Sequence, residues 1–397
     1  TEGKTNSGRP KVHSVINVLH KEPSKELLRF ISNFKGKILF TAKNNEKQDV
    51  VSCNNWNSIA NEVLGPITDG DCKKLAQVIL NENVSDIWKL QGRGNSRIYK
   101  LVTESSQVYA LKNYPDLLID SRNRLQTEVQ SCRFLENLHL TPKVAAFDMD
   151  LNIALFEWIE GKPLNNIENY HIDQALEFAK KLHGLDPPDY FQPASESCTS
   201  GIELFSQIDR RLQQMEILEN KNLRHFLRTV FKPLYQDVRK WSEQQWPSDN
   251  LREELPFSKQ TLSPSDFGFH NSLLRSDGTL CFLDFEYFGW DDPAKIISDF
   301  LIHPAMQLSD SNKTQFLSGT LECFGEHPGL GSRVGLVRPL FALKWAMILL
   351  NEFVPERLQR RNFTSEDQSD VTELKDRQLI KARTMLKKDT DNHDTSI

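Results

Sequence analysis

Three residues could do chemistry together. Asp266 and Asn271 stand five apart in "SPSDFGFHNSLL" (263–274), and Asp284 comes eighteen residues after Asp266, in "LCFLDFEYFG". Asp284 follows three apolar residues that read as a buried strand, and a carboxylate there is costly unless it is paired or holds a metal. Phosphoryl transfer to a hydroxyl needs this set. One carboxylate meets the hydroxyl, while an amide and a second carboxylate hold the cations that bridge the phosphates. The letters D-F-G at 266–268 invite the opposite assignment, with Asp266 itself on the metal. The spacing argues otherwise. Asp266 with Asn271 fits a catalytic loop, and "LDFE" supplies the metal aspartate across a hairpin turned by "SDG".

The earlier part of the chain offers matching groups. "LQGRGNSRIYKL" (90–101) places Gly92 and Gly94 in a turn between two strands, where glycine lets the backbone approach phosphate oxygens. Asn95 and Ser96 complete that turn. Lys112, in "YALKNY", lies on the next strand as a compact cation for phosphate charge. Glu128, on the helix that follows, is the expected partner of Lys112, with Glu136 as the rival. The passage from strands to helices at Glu157 to Ile159 is where backbone groups would meet an adenine ring. Other polar residues are given plainer roles. His270 reads as a loop residue making one backbone hydrogen bond. "DFLIHPA" (299–305) and "ALKWAMILLNEF" (342–353) read as helix packing, and the arginines of "PERLQRRNF" as a solvated face.

These residues need a scaffold, and the pattern describes one. The 397 residues suit two or three units. Residues 1–84 read as a short α/β segment of unknown role, with helices at 24–34, 56–64 and 71–80 and a strand at 36–42. Residues 85–160 read as hairpin, strand, helix and two more strands. Residues 161–386 are mostly helical, interrupted by the β-rich island at 273–289. Residues 387–397 are a polar tail. The fold class is therefore α+β.

The bulk numbers exclude other classes. Lysine and arginine number 49 against 54 acids, a net charge of −5, which does not favour a nucleic acid or an anionic membrane as partner. The six cysteines form no C-x-x-C pair, so reduced thiols in a cytoplasmic protein are expected. "FALKWAMILL" (341–350) is shorter than the roughly 20 residues of a spanning helix, and no secretory signal opens the chain.

Together these motifs resemble the aminoglycoside phosphotransferase and choline kinase-like family, over about residues 85–350. The resemblance implies a bilobal protein-kinase-like fold with a small β-rich N-lobe and a mostly helical C-lobe. It also implies an ATP- and magnesium-dependent kinase that phosphorylates a hydroxyl of a small molecule such as a sugar, an amino-alcohol or an aminoglycoside. Carried over, Asp266 is the catalytic base, Asn271 and Asp284 hold Mg2+, and Lys112 holds the nucleotide phosphates. "WDDPA" matches the family's G-D-P-A segment at Asp292 to Ala294. Pro264 stands where the family usually has histidine, and Ile296 where it often has aspartate, with Asp299 three residues on. A nucleotide-binding pseudokinase or scaffold is the alternative reading. Neither the acceptor nor the oligomeric state is legible in the chain.

Overall fold

In a computed structural model, the structure describes residues 14–16, 38–44, 47–52, 69–90, 96–115, 122–246, 251–355, 357–358 and 371–389. The helices expected at 24–34 and 56–64 lie outside these residues, and the one expected at 71–80 is present as Asp69–Leu80. The chain divides into two compact units. One is Thr1–Val129 with Lys143–Trp158 and Phe363–Ser365; the other is Gln130–Pro142 with Ile159–Asn362 and Glu366–Ile397.

In the first unit, β1 (Ser14–Ile16) runs parallel to β2 (Ile38–Asn44), which pairs antiparallel with β3 (Lys47–Ser52). The helix α1 (Asp69–Leu80) then leads into a five-stranded antiparallel sheet of β4 (Val84–Lys89), β5 (Arg97–Thr103), β6 (Val108–Asn113), β7 (Val144–Asp148) and β8 (Ile153–Glu157). Its order is β4-β5-β6-β8-β7. Alternation builds it. Tyr99, Leu101 and Thr103 on β5 are buried and their neighbours are not, which turns one face onto the core. That face packs with Leu111, Ile153 and Leu155 against Cys72, Leu75 and Ala76 of α1. The β7–β8 turn is held by Asp148, whose Oδ1 accepts from the backbone N–H groups of Asp150 and Leu151 at 2.9 and 3.0 Å.

The second unit is mainly helical. Its helices are α3 (Asn169–His183), α4 (Gly201–Glu216), α5 (Lys221–Phe226), α6 (Lys232–Gln245), α7 (Pro293–Ile302), α8 (Asp310–Cys323), α9 (Leu330–Leu349) and α10 (Val371–Asp389); α2 (Arg124–Leu135) precedes them. Short strands carry the loops: β9 (Gly161–Lys162), β10 (Thr261–Ser263), β11 (Ser272–Arg275), β12 (Leu280–Phe282) and β13 (Gly289–Asp291). β12, β11 and β9 form one sheet, and β10 pairs with β13 in another. Phenylalanines fill the space beneath. Phe178, Phe267, Phe282, Phe300 and Phe316 stack in one cluster, with Phe300 and Phe316 at 3.6 Å between ring centres. Each such burial is worth about 1.5–3 kcal/mol.

Three sequence readings change. The buried strand expected to end at Asp284 stops at Phe282, because the chain turns there to pass Asn271. The helix α10 runs into the expected tail, through Asp389. The apolar stretch 341–350 belongs to a helical segment, Leu330–Phe353, that is long and apolar enough to cross a membrane by length and composition. Its Val334, Leu340, Leu343 and Met347 are fully buried inside the second unit, which accounts for its composition. Lys344 on α9 is also buried, and donates to Gln207 Oε1 at 2.5 Å beside Glu196 Oε2 at 3.1 Å. Among the described residues, the five cysteines form no disulfide.

Candidate active site

Lys112 sits on β6, the middle strand of its sheet, between Ile98 of β5 and Ala154 of β8. Burying an ammonium there requires a partner. Its Nζ lies 2.6 Å from Oε2 of Glu128, one helix further along the chain, and the Tyr114 hydroxyl donates to the same oxygen at 2.7 Å. The rival Glu136 lies in the single 3-10 turn after α2. Ser96 is buried, just before β5. Gly92, Gly94 and Asn95 lie outside the described residues. Glu157 ends β8, and its N–H donates to Lys143 O; the N–H of Trp158 reaches Val108 O. Ile159 is buried in the second unit.

The loop after β10 is a tight construction. The Ser263 hydroxyl accepts from the N–H of Ser265, and Ser265 holds a left-handed backbone (φ +65°). Phe267 drops into the aromatic cluster. Gly268 is required by crowding: a Cβ there would lie 2.7 Å from Met306 Sδ and 2.8 Å from His270 Nδ1. So in the D-F-G letters, Phe267 anchors and Gly268 makes room, while Asp266 is left half-buried on the loop. Asn271 Nδ2 donates to Asp266 O at 3.0 Å, which commits its amide nitrogen inward and leaves its amide oxygen to face elsewhere.

Asp266 has partners that the sequence did not show. His270 Nε2 lies 3.0 Å from its Oδ1, and His303 Nε2 lies 3.4 Å from the same oxygen. The His270 reading changes accordingly: its bond goes to a side chain, one helical turn away in sequence. His303 changes too, from a packing residue to one facing the carboxylate. The Ala305 N–H donates to His303 Nδ1 at 3.2 Å, so the ring carries its proton on Nε2, toward Asp266. The two imidazoles stack, with centres 3.8 Å apart and planes 4° from parallel, and Trp345 closes edge-on against His303 at 4.4 Å. Burial opposes the charge on Asp266. The His270 bond and charge, then His303 and Asn271, outweigh it and hold the carboxyl well below its usual range. Burial and the neighbouring His270 pull His303 down to about 3, so it is neutral.

A buried ion cluster braces this loop. Lys295 Nζ, on α7, lies 2.9 Å from Asp291 Oδ2 and 3.3 Å from Asp299 Oδ2, and donates to Ser265 Oγ at 3.2 Å. Burial opposes the Lys295 charge, but the two aspartates raise its pKa. Trp345 Nε1 donates to Asp299 Oδ1 at 2.7 Å, which ties the lysine to the ring beside His303. Asp292 caps α7 through Ala294 N–H at 2.8 Å and takes Arg333 Nε at 2.5 Å.

Asp284 stands two residues past β12 in a left-handed conformation (φ +66°), and the N–H of Leu283 donates to Asn271 O at 2.8 Å. That bond joins the Asp284 segment to the Asp266 loop. Glu286, which the sequence reading left unassigned, places a carboxylate oxygen within 4.8 Å of one from Asp284. The signal was there in two acids two residues apart. A polar cavity of about 380 Å³ also opens in the second unit, lined by Glu196, Gln207, Arg210, Arg211, Gln214 and Arg357 among others. Arg357 is thus drawn from the expected solvated face into a cavity wall.

Comparison with known proteins bears on this geometry. The model of the phosphotransferase enzyme family (APH) matches residues 89–303, more than half of the chain. No curated protein matches it in sequence. Among solved structures, an ethanolamine kinase from Plasmodium vivax is 14% identical with a TM-score of 0.53, covering 85% of this chain and 98% of that one. An amicoumacin kinase solved with AMP-PNP, Ca2+ and its ligand Ami is 12% identical with a TM-score of 0.51, covering 81% and 94%. The choline kinase LicA from Streptococcus pneumoniae is 15% identical with a TM-score of 0.49, covering 77% and 94%. At these identities the likeness is one of fold, the α+β protein-kinase-like fold. The match over 89–303 settles the family: this chain belongs to the phosphotransferase enzyme family.

Proposed function

We propose that the chain transfers the terminal phosphoryl group of ATP to a hydroxyl of a small molecule, in the presence of Mg2+. The observation that carries this reading is the Asp266 carboxylate. It is kept ionised, hydrogen-bonded on one oxygen by His270 with His303 Nε2 3.4 Å away, beside Asn271. Oδ2, which neither ring touches, would accept the hydroxyl proton as the acceptor oxygen bonds to phosphorus and the bond to ADP breaks. Lys112, set by Glu128, would meet phosphate oxygens as a fixed cation, with Ser96 and the turn at Gly92, Gly94 and Asn95 beside them. Glu157 to Ile159 would offer backbone groups to the base.

The donors suit magnesium. Asn271 offers an amide oxygen, and Asp284 and Glu286 offer neighbouring carboxylates, an all-oxygen set that favours a hard cation. When bound, Mg2+ would neutralise phosphate charge as the transfer proceeds. The polar cavity of the second unit mixes guanidinium, amide and carboxylate groups with no aromatic residue in its lining, which would favour a polyhydroxylated acceptor there over a quaternary amine.

The test is a magnesium-dependent ADP-release assay across sugars, amino-alcohols and aminoglycosides, with Asp266→Asn beside wild type. Turnover stimulated by one acceptor and lost in the variant is the expected result. ATP binding without stimulation by any acceptor would favour the pseudokinase reading. Failure to bind ATP would overturn the roles given to Lys112 and Asp284.

A further inference from the structure

A second pair of histidines lies away from the Asp266 loop. His183 ends α3, and Glu326 and His327 lie in the connection between α8 and α9. Local packing brings these elements together. Gly319 of α8 sits so close to Leu176 of α3 that a Cβ would meet Leu176 Cδ1 at 2.5 Å. The buried Phe324 lies against the His183 ring at 4.6 Å, and the N–H of His327 donates to Phe324 O at 2.9 Å, which turns the connection back toward His183.

A ring nitrogen of each histidine and a Glu326 oxygen all lie within 4.8 Å of one another. His183 Nε2 is 2.9 Å from Glu326 Oε1. His183 Nδ1 lies 3.4 Å from Thr261 Oγ1, so when a cation takes Nε2 the Nδ1 proton has an acceptor in reach. His327 Nε2 is buried and has no hydrogen-bond partner, which is costly for a ring nitrogen unless something else meets it. The two rings are 5.7 Å apart and inclined by 62°, so their planes converge. Lys259 is the nearby cation that opposes a bound one, and Glu326 offsets it.

We propose that His183, Glu326 and His327 form a metal site separate from the candidate active site, taking a borderline transition-metal cation, Zn2+ first, with water as the fourth ligand. Two imidazoles and one carboxylate suit Zn2+ and disfavour Mg2+. The Thr261 contact gives the site a reach: Thr261 opens β10, and β10 leads into the Asp266 loop. A cation held here would fix the start of that strand.

The test uses the full chain, stripped with EDTA and titrated with Zn2+ against a chromophoric chelator, and with Co2+ for its visible absorption. One equivalent of tetrahedral metal is expected, with a melting temperature that rises on adding Zn2+. His183→Ala and His327→Ala should each weaken binding by about 10-fold or more, and His303→Phe should leave it unchanged. Glu326→Ala serves if a histidine variant does not fold, because Glu326 is 73% exposed. It should weaken binding as well. No binding by wild type overturns the proposal. So does binding that survives these three substitutions, or binding that is lost in His303→Phe.

Discussion

The second unit builds two clusters from the same parts, two histidines and one carboxylate, and sets them at different angles. At Asp266 the rings are parallel and stacked; His270 Nε2 hydrogen-bonds Oδ1, and His303 Nε2 stands 3.4 Å from the same oxygen. At Glu326 the rings are inclined and one nitrogen lacks a partner. A cation in the plane of one stacked ring lies far out of the plane of the other, so the first arrangement is the poorer of the two for a shared metal. The inclined arrangement can converge on an ion. Composition alone does not separate the two; ring orientation does.

The comparison can be broken at its centre first. Asp266→Asn keeps the shape but removes the proposed proton acceptor, and should lower kcat by about 10²–10⁴-fold in the ADP-release assay while the fold stays intact. A drop below about 10-fold would mean that the loop positions rather than accepts. Lys295→Met comes next. It leaves Asp291 and Asp299 buried without their cation, and should cost about 3–5 kcal/mol in urea unfolding. A loss below about 1 kcal/mol would show that the brace behind the stacked rings is not rigid.

His303→Phe sharpens the contrast. Phenylalanine keeps the stack on His270 and the edge of Trp345 but removes the Nε2 that stands 3.4 Å from Asp266 Oδ1. The expected result is a kcat lower by about 10-fold with KM little changed, the loss of one polar contact to a charged group. His303→Gln, which returns an N–H near the same place, should recover part of it. A purely structural role would not be rescued in this way.

The same residue carries a pH signature. His303 titrates at about 3 in the folded chain, far below its ordinary value of 6.5. Between those values the unfolded chain binds more protons than the folded one, so stability falls as pH drops through that window. The urea midpoint of wild type should therefore fall more steeply from pH 6.5 to 4 than that of His303→Phe. Equal slopes would mean that the ring is solvated.

These interactions were unequally visible in the sequence. The sheet strands show because alternation is local, and Lys112, Asp266, Asn271 and Asp284 show because their spacing follows one loop or one strand-helix step. His303 does not, because it meets Asp266 across 37 residues through the path of α7. His183 and His327 are farther apart still, 144 residues, and the packing of α8 on α3, as at Gly319 and Leu176, brings them together. Glu286 had a local signal, but its turn interrupts the strand pattern that would have given it a face. The glycine turn at 92–94 lies outside the described residues.

Asp284 holds a left-handed backbone, which costs a non-glycine residue roughly 1 kcal/mol. The energetic interest of the fold and the chemical interest of the carboxylate therefore pull apart at one codon. Asp284→Gly should unfold later than Asp284→Ala, although each lacks the same carboxylate. A lineage freed from the need for that carboxylate would gain stability by drifting to glycine at this position. Among descendants of such a chain, glycine at 284 would be a readable scar of lost chemistry.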